Sequence, residues 1–233
     1  MEENPNVTIE VEALDEEAYK TKFKAYSMEG MPDVVSIWGQ PAFLDEVLDA
    51  GVLAELNQDD YKDYGFISGS LDGFIKDGKL YGLPRNTDVA GFYYNQKMFE
   101  DNGWEASMAL NEDIPEEIRT NIRVFTMLVI DGGKGTATDI AAWNGGGYAV
   151  SADSEVKEEA VKFLNYMYQP DKLSKYGWEN GVGMSAQDQS AYMTGDETEL
   201  QMQFVDAVNN ATSVSGTPIN DCGPSAFKTS IES

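Results

Sequence analysis

The sequence predicts an α/β fold built on a partly parallel sheet. Three observations predict it. Strand and helix patterns alternate from Val7 to Gly51, an Asp77-Gly78 pair marks a hairpin, and a long amphipathic helix runs from Ser154 to Tyr168.

Val7, Ile9 and Val11 alternate with polar residues and predict a first strand. Asp15 is a suitable N-cap for the next element. Tyr19, Phe23 and Tyr26 follow at i, i+4 and i+7, so one helical face is aromatic; Gly30-Met31-Pro32 ends it. Asp33 to Trp38 reads as a short apolar strand, and Ala42 to Ala50 as a helix stopped by Gly51. In such folds ligands gather at the carboxyl ends of strands, where Trp38 and Gln40 fall.

Ile75 to Pro84 reads as a hairpin turning at Asp77-Gly78. Arg85 to Asp88 reads as a polar loop, Val89 to Tyr94 as a strand, and Asn95 to Asn102 as a helix ended by Gly103. Further on, Pro115 to Thr120 suggests a short helix, Ile122 to Ile130 a strand, and Asp131 to Gly135 a loop. Gly145 to Val150 is a glycine-led strand, whose three glycines serve close backbone approach or unusual dihedrals. Ser154 is placed to cap the long helix, whose stripe is Val156, Ala160, Phe163, Leu164 and Met167. Pro170 opens another helix ending near Gly177 or Trp178, and Leu200, Phe204, Val205 and Val208 mark a last one. From Ser213 the tail is weakly patterned.

Composition removes several chemistries. The chain has 233 residues, no His and a single Cys, Cys222. No Ser-His-Asp or Cys-His nucleophile, His/Cys zinc site or internal disulfide can be built from that set. With 41 acidic against 16 basic residues the net charge is -25, which argues against nucleic acid or an anionic membrane as partner. No apolar run is long enough to span a membrane, and the segment from Met1 has neither the basic nor the apolar region of a signal peptide. Asp131 to Gly135 lacks phosphate-loop spacing, and Asp59, Asp60 and Asp63 lack the EF-hand pattern. No metal and no cofactor is expected. Asp88, Glu105 and Asp139 allow a paired-acid glycosidase to be considered, but among so many carboxylates proximity by chance is the better explanation.

The four tryptophans say more. Trp38, Trp104, Trp143 and Trp178 all fall at strand ends, helix ends or loops. A flat apolar ring flanked by polar residues suits stacking on a sugar; the competing reading is that each fills a gap between layers.

Three segments resemble the family 1 extracellular solute-binding proteins, the sugar-binding components of ABC importers. Asp33-Val34-Val35 through Leu56 is similar to the family's strand, helix and "G-x-L-x-x-L" step. Gly78 to Pro84 with Tyr93 to Phe99 resembles "G-K-x-Y-G-x-P … x-Y-Y-N-x-x-x-F". Gly145 to Met167 resembles "G-G-x-x-V-S … K-E-E-A-x-x-F-L-x-Y-M". The resemblance implies a two-lobed, periplasmic-binding-protein-like (type II) α/β architecture, hinged around a sugar. It also implies an extracellular or periplasmic place with a lipid anchor, docking to an ABC permease, and a monomer that performs no catalysis.

Family members are longer. By the resemblance this chain begins after the family's first strand and ends before its last helices. It also joins at Gly103-Trp104 two segments that the family separates by much of its second lobe. The second lobe is therefore expected to be incomplete. Residues 1–103 would form the first lobe, 104–144 a remnant of the second lobe and hinge return, 145–180 a return to the first lobe, and 181–233 a helical part near the second. Carried onto these positions, the family's site implies Trp38 and Gln40 at the cleft edge, and Asn86 and Asp88 on sugar hydroxyls. Trp104 would stack with Glu105 as acceptor, and Trp143, Asn144 and Trp178 would complete the wall. The rival functions are an acidic glycoside-processing enzyme and a remnant that contacts only protein partners.

Overall fold

A computed structural model describes residues 5–39, 41–89, 131–133, 136–182, 184–211 and 213–215. The expected elements at Pro115 to Thr120, Ile122 to Ile130 and Asn95 to Asn102, and all of the expected strand Val89 to Tyr94 beyond Val89, lie outside the described residues.

Helix α1 spans Glu16–Glu29. Its first turn is held as the sequence requires: Asp15 is extended, and its carboxylate accepts a hydrogen bond from the Ala18 amide at 2.9 Å. Strand β1 is Val34–Ile37 and helix α2 is Pro41–Asp49. Gly51, at φ 68°, closes α2 by donating its amide to the Leu48 carbonyl at 2.8 Å. Strands β2, Ile75–Lys76, and β3, Lys79–Leu80, form the expected hairpin, with Asp77 at φ 50° and Gly78 at φ 77°. Strand β4 covers Leu83–Val89 and β5 covers Asp139–Val150. Helices α3, Lys157–Met167, α4, Leu173–Glu179, and α5, Glu199–Asn209, follow, with β6 at Ser213–Ser215.

The sheet is partly parallel, as expected, although most of its described pairing is antiparallel. β5 lies between β1 and β4 and is antiparallel to both; only β5 with β6 is parallel among the described strands. Residues 7–11 form no strand, and Val11 is 84% exposed. Alternation alone does not make a strand: its amides need a ladder, and among the described residues none pairs there. The expected polar loop at Arg85 to Asp88 is instead the second half of β4. Its outer edge is occupied too, for Thr87 donates its amide to the Met184 carbonyl at 3.1 Å and Asn86 bridges to Ser185.

Ser154 does not cap α3. Its hydroxyl bonds the Asp33 carboxylate at 2.6 Å, and the helix starts three residues later than expected, leaving Val156 47% exposed. The buried stripe is Ala160, Leu164 and Tyr168. Tyr168 is fully buried and donates its hydroxyl to the Leu83 carbonyl at 2.6 Å, which fixes the end of α3 to β4. Burial holds its phenol far above the ordinary value of 10.0. The unfolded chain therefore ionises first. The contribution of this tyrosine is whole below pH 10 and is lost as pH rises toward the folded value. Tyr168→Phe is expected to lower stability at neutral pH by about 1 kcal/mol and to flatten the alkaline fall in urea midpoint.

One core joins these elements. Phe23, Val35, Ile37, Leu44, Leu83 and Leu164 all belong to it. Phe74, wholly buried, stands where Gly39, Gly82 and Gly147 face it, with ideal Cβ positions 2.7 Å, 3.0 Å and 2.7 Å from its ring. The glycine strand is thus explained by close approach, since neither Gly146 nor Gly147 has a positive φ.

Candidate ligand-binding site

The ends of β1, β4 and β5 meet in one row. Ile37 faces Gly147, so Trp38 continues beside Gly146, whose partner on the other side is Asn86. One step further, Thr87 is opposite Asn144 and Asp88 opposite Trp143. The register slips on both sides of the Asn86–Gly146 pair. Arg85 is the extra residue on β4 and Gly145 the extra residue on β5. Bulges of this kind bend a strand and re-aim its side chains, and they recur beside functional sites.

Arg85 and Asn86 consequently share a side. The Arg85 Nε–H donates to Asn86 Oδ1 at 3.4 Å, and a Cβ on Gly146 would stand 3.6 Å from Arg85 Nη2 and 3.9 Å from Asn86 Oδ1. Gly146 leaves the ground between them free of side chain. Tyr148, two residues along and on the same face, is half-buried with its ring 6.5 Å from that of Tyr168.

Trp38 is half-buried at the first strand's end. Its ring packs edge-on against Phe43 at 5.0 Å and Tyr19 at 5.8 Å, with Lys20 Nζ 5.9 Å from its centroid. Part of its surface therefore holds α1 and α2 to the sheet, as the gap-filling reading requires. Tyr19 is anchored by its hydroxyl to the Ser36 carbonyl at 2.6 Å.

The structure thus brings Trp38, Asn86, Asp88, Trp143 and Asn144 to one end of the sheet through backbone register. Trp178 is placed otherwise, half-buried in the last turn of α4, so a helix and not the sheet positions it. Gln40, Trp104 and Glu105 lie outside the described residues. Arg85 and Gly146 belong to the same row, and Tyr148 lies two residues back along β5. A register slip between distant strands leaves no local sequence signal, although an arginine in an acidic chain is itself conspicuous.

A shallow depression of about 430 Å³ lies elsewhere, on α3 and α4, lined by residues including Tyr166, Leu173 and Tyr176. Its lysines are engaged by its own acids, Lys172 with Asp171 at 2.6 Å and Lys175 with Glu179 at 3.8 Å. It is remote in sequence from the strand ends and has no buried polar group aimed into it among the described residues. Among the described residues no group of three or more His, Cys, Asp or Glu could hold a metal ion, and no helix is long and apolar enough to cross a membrane.

Residues 1–120 match the sequence profile of a bacterial extracellular solute-binding protein. The chain belongs to that family. An uncharacterized ABC transporter extracellular-binding protein of Pyrococcus horikoshii is 31% identical to this solute-binding protein over 121 residues. The match takes in 48% of this chain and 28% of the relative, so the chain spans well under half of that relative's length.

Solved structures share the fold of this solute-binding protein. One comes from xylan utilization by the thermophilic bacterium Caldanaerobius polysaccharolyticus, with TM-score 0.70 and 19% identity, covering 98% of this chain and 86% of that one. The bacterial solute receptor AcbH, described as preferring β-D-galactopyranose, has TM-score 0.75 and 12% identity, covering 97% and 84%. A chitin oligosaccharide binding protein has TM-score 0.65 and 17% identity, covering 92% and 81%. These likenesses establish the type II periplasmic-binding-protein fold for this chain.

Proposed function

We propose that this solute-binding protein captures a carbohydrate at the strand-end row and presents it to the membrane permease of an ABC importer. It works outside the cytoplasmic membrane, held there by a lipid anchor, and as a monomer. The observation that carries the reading is the register that aligns Trp38, Asn86, Asp88, Trp143 and Asn144 beside side-chain-free Gly146. The sugars named for the structural relatives support it.

The chemistry is binding without turnover. Carboxylate and amide groups accept and donate to neighbouring hydroxyls, and indole faces take the apolar face of a pyranose ring. A ligand held between two lobes favours their closed arrangement, and the permease reads that closure. Trp104 and Glu105 would add a stacking ring and an acceptor, and Gln40 and Trp178 would extend the wall.

Calorimetric titration against mono- and oligosaccharides tests this. Trp143→Ala and Asp88→Ala are each expected to weaken binding about 10-fold or more, since each removes a stacking face or a charge-assisted hydrogen bond. Sugar recovered after incubation should be unchanged. Affinity untouched by both substitutions would remove the row from the site, and silence across the panel would end the carbohydrate reading.

A further inference from the structure

We propose that the sugar taken by this site carries a carboxylate, and that Arg85 is the residue that selects it; this rests on the carbohydrate reading above. The bulge that makes Arg85 an extra residue turns its guanidinium to the same side as Asn86, toward Gly146. One donor, Nε–H, is used on Asn86 Oδ1, which fixes the plane of the fork. The side chain is exposed, and among the residues whose side chains are described none forms an ion pair with it.

That freedom is unusual here. The cations just before it in the chain are engaged, Lys76 by Asp45 at 2.7 Å and Lys79 by Glu55 at 2.6 Å. In a chain with 41 acidic residues, a guanidinium that none of the described carboxylates engages is conspicuous. Its geometry matches a planar carboxylate through two parallel N–H···O bonds, better than it matches a single hydroxyl. The missing side chain at Gly146 lets the fork lie close over β5, where a Cβ would stand 3.6 Å from Nη2, while the exposed remainder of the guanidinium faces outward to meet that group. A uronic acid offers both parts at once: a pyranose ring for the indole faces and a C5 carboxylate for the fork. The net charge of -25 slows the approach of an anion but is screened beyond about 8 Å at physiological salt, so the contact at Arg85 decides affinity.

Matched pairs test the proposal: D-glucuronate with D-glucose, D-galacturonate with D-galactose, and galacturonate oligomers with galactose oligomers of two to four rings (about the range a cleft accepts). In calorimetry the uronate of a pair is expected to bind roughly 10-fold tighter or more, the worth of a charge-assisted pair. That preference should shrink as salt rises, while the neutral partner is indifferent. Arg85→Gln should remove the preference, weakening the uronate far more than its neutral partner, and Arg85→Lys should keep only part of it. Gly146→Val, which displaces the fork, should likewise weaken the uronate more than the neutral sugar. Neutral sugars binding as well as uronates, or Arg85→Gln weakening both members of a pair equally, overturns the inference while the carbohydrate reading stands. If no member of any pair binds, both fall. Circular dichroism of each variant separates loss of binding from loss of fold.

Discussion

Gly147→Ala is expected to cost about 3 kcal/mol or more, a large fraction of the stability of a marginally stable domain. An ideal Cβ at this position would stand 2.3 Å from the Leu83 carbonyl oxygen and 2.7 Å from Phe74 Cζ. The first of these partners is backbone, held by the β4–β5 ladder and by the Tyr168 hydroxyl, so it has nowhere to go. Its neighbour supplies the control. A Cβ at Gly146 meets nothing closer than 3.6 Å, and Gly146→Ala should change stability by less than about 1 kcal/mol. Gly39→Ala is the third arm. There the near atoms are all on the Phe74 ring, at 2.7 to 3.1 Å, so adding Phe74→Leu should recover part of the loss. The same second change should not rescue Gly147→Ala. Urea midpoints of the variants measure all of this. A native-like midpoint for Gly147→Ala would mean that Leu83 and Gly147 are not neighbours and that the strand-end row is wrongly registered.

The contrast between these two glycines shows where the sequence stops being readable. Gly145-Gly146-Gly147 announces either close approach or unusual dihedrals, and no local rule chooses between them. The choice is made by Phe74 and Leu83, which arrive from far along the chain. Local signals did transfer: Asp15 caps α1, Gly51 stops α2, and Asp77-Gly78 turns the hairpin, because each acts within a few residues of itself. A capping box of Thr198 and Gln201, equally local, begins α5. What failed was anything that depends on a partner. Arg-Asn-Thr-Asp looks like a loop because it lacks apolar alternation. It is a strand because β5 takes one edge and the stretch around Met184 and Ser185 the other. Gln187 and Gln189 are polar yet buried. Gln187 Nε2 donates to the Tyr64 carbonyl at 2.7 Å and the Tyr168 carbonyl at 2.8 Å, while Gln189 Nε2 donates to the Ser174 carbonyl at 3.1 Å. Such groups are tolerable inside only because those carbonyls come to meet them, which is a property of the fold. The site was legible as residue types and illegible as geometry: tryptophans and acids could be named, but the bulge that turns Arg85 onto Asn86 could not.

Phe74→Ala is expected to be the most damaging truncation, about 3 to 5 kcal/mol. The cost of such a change depends on how far the surroundings can collapse into the vacated space. Here three of the nearest positions, Gly39, Gly82 and Gly147, have no side chain to swing inward, and the ring leaves none of its surface exposed. The strands themselves would have to move, and they carry Trp38, Arg85 and Asn86 at their ends. Stability and ligand affinity should therefore fall together in Phe74→Ala. In Trp143→Ala or Arg85→Gln, binding should change while the urea midpoint stays near that of the parent. Phe74→Leu, which keeps most of the volume, should recover most of both losses. If Phe74→Ala loses stability yet binds its sugar with parental affinity, the strand ends are not set by this packing, and the link between the glycine-lined ring and the site is broken.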